Sequence, residues 1–218
     1  MDQLAILGDG GFARELYFLI QEINRADMRL KVVAFIVPDA PSGARLFGCP
    51  VVSDRDMGKL GDVRLITGMG RPLLKRKAVD AARERLPNAR FATLVHPNTV
   101  AAMDPGYGDQ ALKLGSGVVI AAGNIVTMNV SIGSHVHLNL DCTVGHDAVI
   151  ENFVTVSPGV HISGRVHIES GVFIGTGANV IEGVRIGRDA VVGAGACVVR
   201  DVEPGLTVVG VPAAPLRR

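Results

Sequence analysis

Tryptophan is absent from the 218-residue sequence, aromatic residues make up only 4% of it, cysteine occurs three times, and neither sign of charge dominates. Each shortage excludes something. Cys49, Cys142 and Cys197 are odd in number, far apart and without C-x-x-C spacing, so neither a disulfide framework nor a cysteine zinc site is expected, and a reducing cytoplasm fits best. Lys and Arg number 22 against 21 Asp and Glu, a net charge of +1, which provides no field to recruit nucleic acid or an anionic membrane surface. No run approaches the roughly 20 apolar residues of a membrane-spanning helix. The apolar start, Leu4 to Leu7, is interrupted at once by glycines and has no basic region before it, so it reads as a first strand rather than a signal peptide. What the sequence has in abundance is glycine, 27 residues, together with 48% hydrophobic content, ample for a buried core.

The glycines belong to a repeat. Every sixth residue from Leu114 to Val198 is aliphatic, and a second register four places on, from Val118 to Ala196, is small or β-branched with Asn124 as its one polar member. A six-residue period fits neither a helix nor an open alternating strand; it predicts a parallel β-helix in which each hexad supplies one short strand and one corner. Gly115, Gly133, Gly145, Gly175, Gly187 and Gly193 follow the aliphatic position, and other glycines fall at corners where a positive φ or a close approach is needed. Three hexads complete a triangular coil, so residues 18 apart stack about 4.8 Å from one another.

The first half follows a different rhythm. Residues 1–95 alternate apolar strands with amphipathic helices, a Rossmann-like α/β arrangement. Strands are expected at Leu4–Leu7, Lys31–Ile36, Pro50–Val52, Val63–Thr67 and Arg90–Leu94. Between the first strand and a helix carrying Leu16, Leu19, Ile20 and Ile23 lies Gly8-Asp9-Gly10-Gly11-Phe12-Ala13, a G-x-G-x-x-A turn that brings phosphate oxygens to the N–H groups of a helix N-terminus. Asp39 follows the second strand, where a ribose or base contact arises. Gly68-Met69-Gly70 leads into a basic helix with Lys75, Arg76 and Lys77. About 90 residues is one mononucleotide half of a dinucleotide fold, so a mononucleotide ligand suits it better than NAD. The competing reading is a structural cap whose glycines merely allow helix–strand packing. Residues 96–112 are expected to connect this domain to the coil at 113–218.

This combination, with His96-Pro97 at the junction and Leu138-Asn139-Leu140-Asp141-Cys142-Thr143-Val144-Gly145-His146-Asp147 in the coil, resembles the sugar O- and N-acyltransferases similar to NeuD and PglD along essentially the whole chain. The ending Gly193-Ala194-Gly195-Ala196, Arg200-Asp201-Val202 and Gly210-Val211-Pro212-Ala213 shares in the likeness. The resemblance implies a left-handed coil, a homotrimer with acetyl-CoA in grooves between adjacent coils, and a nucleotide-sugar held by the N-terminal domain. It implies that His146 is the proton acceptor with Asp147 raising its basicity, that Asn139 contacts substrate, and that Gly164 presents its N–H to the acetyl carbonyl. Thr176 and Ala194 match cofactor contacts, Gly10, Gly11 and Phe12 match the nucleotide-sugar turn, and Gly70 is expected to join them in binding substrate. There are departures: Phe12 stands where many members have histidine, Val37 and Pro38 where paired acids often occur, and Thr155 in place of a cofactor-contacting histidine.

The chemistry needs these residue types. His146 is the third residue of its hexad and so points outward from a corner, and imidazole, with a reference pKa of about 6.5, suits a base for an attacking amine or hydroxyl. Gly164 stands one coil later, where a bare backbone lets a thioester approach and an N–H stabilise the oxyanion. His137, His161 and His167, at the last place of their hexads, are expected to face solvent or a neighbouring subunit, and no metal is expected. Alternatives are O-acetylation of sialic acid or another sugar, a noncatalytic sugar-nucleotide-binding trimer, and a γ-carbonic-anhydrase-like zinc trimer, whose H-x-x-x-x-H spacing is missing.

Overall fold

A computed structural model describes residues 2–26 and 30–216, in two compact units, Met1–Pro97 and Asn98–Arg218. In the first unit, β1 (Asp2–Leu7) runs parallel to its neighbours β2 (Leu30–Val37) and β5 (Arg64–Thr67). The sheet is completed by β3 (Arg45–Leu46), β4 (Cys49–Ser53) and β6 (Arg90–Phe91), in the order β3-β4-β2-β1-β5-β6. Only the β3–β4 pair is antiparallel. Leu4, Ala5 and Ile6 are wholly buried, as expected of a central parallel strand covered on both faces.

Helix α1 (Gly11–Arg25) buries Leu16, Leu19, Ile20 and Ile23, the stripe that the sequence spacing marks. Helix α2 (Pro72–Arg85) buries Pro72, Lys75, Val79 and Ala82, so Lys75 lies on its inner stripe and not on a basic surface. Burial drives the Lys75 ammonium well below its ordinary pKa. The expected strand Arg90–Leu94 ends at Phe91. A 3₁₀ helix, Asp54–Leu60, follows β4 and is capped by the Ser53 hydroxyl, which accepts from the Arg55 N–H.

The second unit is a parallel coil of two-residue strands in three ladders. The first face carries Val119–Ile120, His137–Leu138, Thr155–Val156, Phe173–Ile174 and Val191–Val192. The second runs from Val100–Ala101 through Ile125–Val126, Thr143–Val144, His161–Ile162 and Asn179–Val180 to Cys197–Val198. The third carries Lys113–Leu114, Ser131–Ile132, Val149–Ile150, His167–Ile168 and Arg185–Ile186. Partners from Leu114 to Val198 are 18 apart, as one coil of three hexads requires, and the aliphatic register fills the core. Asn124 is tolerated in the inner register because its amide donates to the carbonyls of Ala121 and Asn139, both at 2.8 Å.

The corners divide the glycines into two groups. At every sixth residue from 117 to 195 the backbone is left-handed, whether the residue is glycine or, at Asn129, His135, Asp141, Asp147, Phe153, Arg165 and Asp189, another type. The glycines that follow the aliphatic position serve close approach instead: a Cβ on Gly145 would lie 2.5 Å from the Gly164 nitrogen, and one on Gly175 2.6 Å from that of Ala194. Within the segment expected to connect the domains, Val100–Ala101 already pairs with Ile125–Val126, and the exposed 3₁₀ stretch Pro105–Gln110 is an excursion inside the first coil.

Candidate active site

His146 lies at the corner between the second and third faces, directly after the strand Thr143–Val144. Its side chain is about half exposed, and Nδ1 lies 2.8 Å from Asp147 Oδ2. Adjacent side chains meet here because Asp147 adopts φ +60, a left-handed turn that aspartate tolerates better than most residues. Asp147 is itself anchored by Asn129, one coil earlier, whose amide donates to Oδ1 at 2.7 Å. The hydrogen bonds from His146 and Asn129 hold the Asp147 carboxyl below its usual pKa. A carboxylate on Nδ1 selects the tautomer with the proton there, leaving the Nε2 lone pair outward.

Gly164, one coil further, lies against the imidazole: a Cβ there would be 2.7 Å from both Cε1 and Nε2. The ring thus occupies the volume that a side chain at this position would take, so any residue larger than glycine would displace the imidazole. The Gly164 N–H meets no acceptor among the described residues. At the same hexad position of another edge, side chains fill this role: Asn152 Oδ1 accepts from the Ser134 N–H at 2.7 Å, Glu151 Oε2 from Ser170 at 3.1 Å, and Glu169 Oε2 from Arg188 at 2.7 Å. One coil beyond Gly164, Glu182 Oε1 is 3.9 Å from His146 Nε2 and 2.6 Å from an Arg165 guanidinium nitrogen. Glu182, Arg165 and Asn129 were not singled out from the sequence, although stepping 18 residues from Gly164 or Asp147 reaches Glu182, Arg165 and Asn129.

The remaining coil candidates occupy other places. Asn139, Thr176 and Ala194 lie on a different edge, between the first and second faces, with Thr176 and Ala194 exposed. Asn139 Oδ1 accepts from the Leu140 N–H at 2.8 Å. Thr155 lies within the first face with 5% of its surface exposed, and its Oγ1 has no hydrogen-bond partner among the described residues. His137, expected at a surface, is buried on that same face. His135 is buried too, stacked on Phe153 with 5.0 Å between ring centroids. His161 is exposed beside the Thr143 hydroxyl, and His167 Nε2 lies 3.0 Å from Glu151 Oε1. Among the described residues no group of three His, Cys, Asp or Glu is placed to hold a metal ion, and no helix is long and apolar enough to cross a membrane.

The first unit contains a cavity of about 830 Å³ at the carboxyl ends of β1 and β2. Gly8, Gly10, Asp39 and Gly68 line it, along with an apolar wall that includes Pro38, Met57, Leu74 and Ala81 and polar groups from Asp54 and Lys77. Gly11, Phe12 and Gly70 lie outside this lining; Gly11 begins α1. The glycines differ in what demands them. Gly68 is needed for packing, since a Cβ there would lie 2.7 Å from Ala13 Cβ, and Gly8 has φ +104. Gly10 and Gly11 have φ outside the left-handed region and nothing within 4 Å of an added Cβ, and no side chain caps α1.

A triangular coil of stacked hexads, presenting an imidazole beside a carboxylate one layer from an unengaged main-chain amide, has the fold of the hexapeptide-repeat acyltransferases. The family described as "Bacterial transferase hexapeptide (six repeats)" matches residues 165–200. A GDP-perosamine N-acetyltransferase of Escherichia coli O157:H7 is 29% identical over 171 residues, 76% of this chain and 72% of the relative. Among solved structures, perosamine N-acetyltransferase from Caulobacter crescentus, in a His→Asn mutant complexed with CoA and GDP-perosamine, aligns with a TM-score of 0.85 at 28% identity, covering 100% of this chain and 98% of that one. The acetyltransferase domain of PglB from Neisseria gonorrhoeae FA1090, in complex with acetyl coenzyme A, aligns at 0.83 with 27% identity over 98% of each chain. WeeI from Acinetobacter baumannii AYE gives 0.83 at 28%, covering 99% of this chain and all of that one. The chain is thus similar to hexapeptide transferases over residues 165–200 and, along nearly its whole length, to sugar acetyltransferases.

Proposed function

We propose that the protein transfers acetyl from acetyl-CoA to an amino group of a nucleotide-linked sugar, with His146 as general base. The observation that carries this reading is the His146–Asp147 pair, 2.8 Å apart on an exposed corner, with the Gly164 N–H one coil away. The amine nitrogen attacks the thioester carbonyl, Nε2 takes its proton, and the oxyanion is stabilised by the Gly164 N–H. Collapse expels CoA as the thiol. Asp147 holds the ring in the productive tautomer and favours the imidazolium that forms.

Two edges carry the coil candidates: His146 and Gly164 on one, Asn139, Thr176 and Ala194 on the other. In a homotrimer of left-handed coils, one protomer's first edge faces its neighbour's second, and acetyl-CoA lies in the groove between them. The Rossmann-like domain, residues 1–95, takes the nucleotide: the bare Gly10-Gly11 turn and the uncapped N-terminus of α1 suit the diphosphate, and Asp39 suits the ribose or base. The nucleotide of two relatives, GDP, heads the set to test. Its free cysteines fit a cytoplasmic enzyme, and the product suits surface-glycan assembly.

Thiol release from acetyl-CoA, measured with GDP-, UDP-, dTDP- and CMP-linked amino sugars and their hydroxyl counterparts, tests the reading. At least one amino sugar is expected to turn over, and His146→Ala to lower kcat by roughly 10²-fold or more while the coil stays folded. No turnover with any of them, or an active His146→Ala, would remove the proposal.

A further inference from the structure

Nitrogen and oxygen acceptors differ in how many protons they carry, and the surroundings of His146 Nε2 are built to read that number. Asp147 occupies Nδ1, so Nε2 faces the acceptor. A second carboxylate, that of Glu182, waits on this side with Oε1 3.9 Å from Nε2. The distance is too long for a direct hydrogen bond, yet it suits one shared donor: an atom about 2.8 Å from both would see them at an angle of about 90°, near the angle between two N–H bonds.

The placement is fixed by the coil. His146, Gly164 and Glu182 follow one another at 18-residue steps up a single column, tied by the Arg165 N–H to the His146 carbonyl at 2.8 Å and the Gly183 N–H to the Gly164 carbonyl at 3.0 Å. Arg165 holds the carboxylate through its guanidinium, 2.6 Å from Oε1, and does so from a backbone φ of +56, a conformation uncommon for a bulky residue.

From this geometry we infer that Glu182, positioned by Arg165, selects an amine over a hydroxyl as acetyl acceptor. The inference rests on the acyl-transfer reading above. A neutral primary amine has two N–H bonds and one lone pair. One N–H points to His146 Nε2, the other to Glu182 Oε1, and the lone pair is left for the thioester carbon. Attack forms the C–N bond; Nε2 removes one proton from the nitrogen; collapse breaks the C–S bond, and that proton passes to the departing sulfur. The amide keeps the N–H that Glu182 held. A hydroxyl has a single proton, which goes to Nε2, so its oxygen lone pairs face a carboxylate with nothing between them. Two acceptors set against each other with no proton between them repel, and a site built to take a hydrogen bond rejects the analogue that cannot give it.

The test compares Glu182→Ala and Glu182→Gln with the wild type on the amino sugar found in the screen and on its hydroxyl counterpart, linked to the same nucleotide. Glu182→Ala is expected to lower kcat/KM for the amine by about tenfold or more and to narrow the amine-to-hydroxyl ratio by a similar factor. Glu182→Gln, which keeps an acceptor oxygen without the charge, should fall between, and the KM for acetyl-CoA should stay within about twofold in both. An unchanged amine-to-hydroxyl ratio in both folded variants would overturn the inference, as would a wild type that prefers the hydroxyl. The latter would leave acyl transfer by His146 intact, whereas loss of thiol release with every acceptor would strike the reading beneath.

Discussion

At the scale of single residues, the imidazole is supported by two contacts that act differently. Asp147 is exposed at the corner yet held below the usual carboxylate pKa, first by the hydrogen bond from His146 and then by that from Asn129. A carboxyl whose folded pKa is depressed contributes above its unfolded value and loses that contribution only as the pH falls through the folded one. The pair is therefore intact throughout the neutral range, and a rate profile between about pH 5 and 8 should carry no step from Asp147. Asp147→Asn should lower kcat about tenfold across that range with little change in KM, because it disturbs tautomer and charge rather than substrate contact. Gly164→Ala places a methyl 2.7 Å from the ring atoms. The ring can swing aside, so the melting temperature should hold while kcat falls about 10²-fold; full activity would show that the imidazole need not lie on that glycine.

At the scale of elements, the coil was legible in the sequence because burial imposes a period, and a strict six-residue step leaves one solution. The outward placing of His146 at a corner, with Asp147 against it, was legible too. The outward faces were not: His137 and Thr155 occupy strand positions indistinguishable by period from exposed His161, yet both are buried, since what covers a face is not written in the hexad. Lys75 failed for the same reason, a charge on a helix stripe whose neighbours are apolar. In the first unit the turn motif was visible, but only geometry separates Gly68, needed for packing against Ala13, from Gly10 and Gly11, which pack against nothing.

The same distinction yields a stability test. Gly175→Ala forces a methyl to 2.6 Å from the Ala194 nitrogen of the next coil, where backbone has no room to yield, whereas Gly195→Ala meets open space and is opposed only by φ +67. The second should cost about 1–2 kcal/mol and the first clearly more, compared by urea unfolding. Gly11→Ala has neither penalty, so it should leave unfolding unchanged and raise the KM for the nucleotide-sugar.

At the scale of the molecule, the proposed groove draws its two sides from different protomers, and complementation tests that directly. His146→Ala and Ala194→Trp, each inactive alone, should recover about a quarter of wild-type activity when mixed and reassembled one to one, since that fraction of interfaces joins two intact edges. No recovery from a demonstrably mixed trimer would place the whole site within one protomer.

The 18-residue step also limits which changes of length the second unit can absorb. Adding one residue within a hexad turns the aliphatic row out of the interior for everything downstream; adding six restores the interior but advances each later side chain to the next edge, so His146 would leave the ridge it now occupies. Only eighteen, a whole storey, lengthens the prism with all three ridges in line. Such a chain grows or shrinks in storeys, and smaller changes are confined to excursions such as the one at Pro105–Gln110.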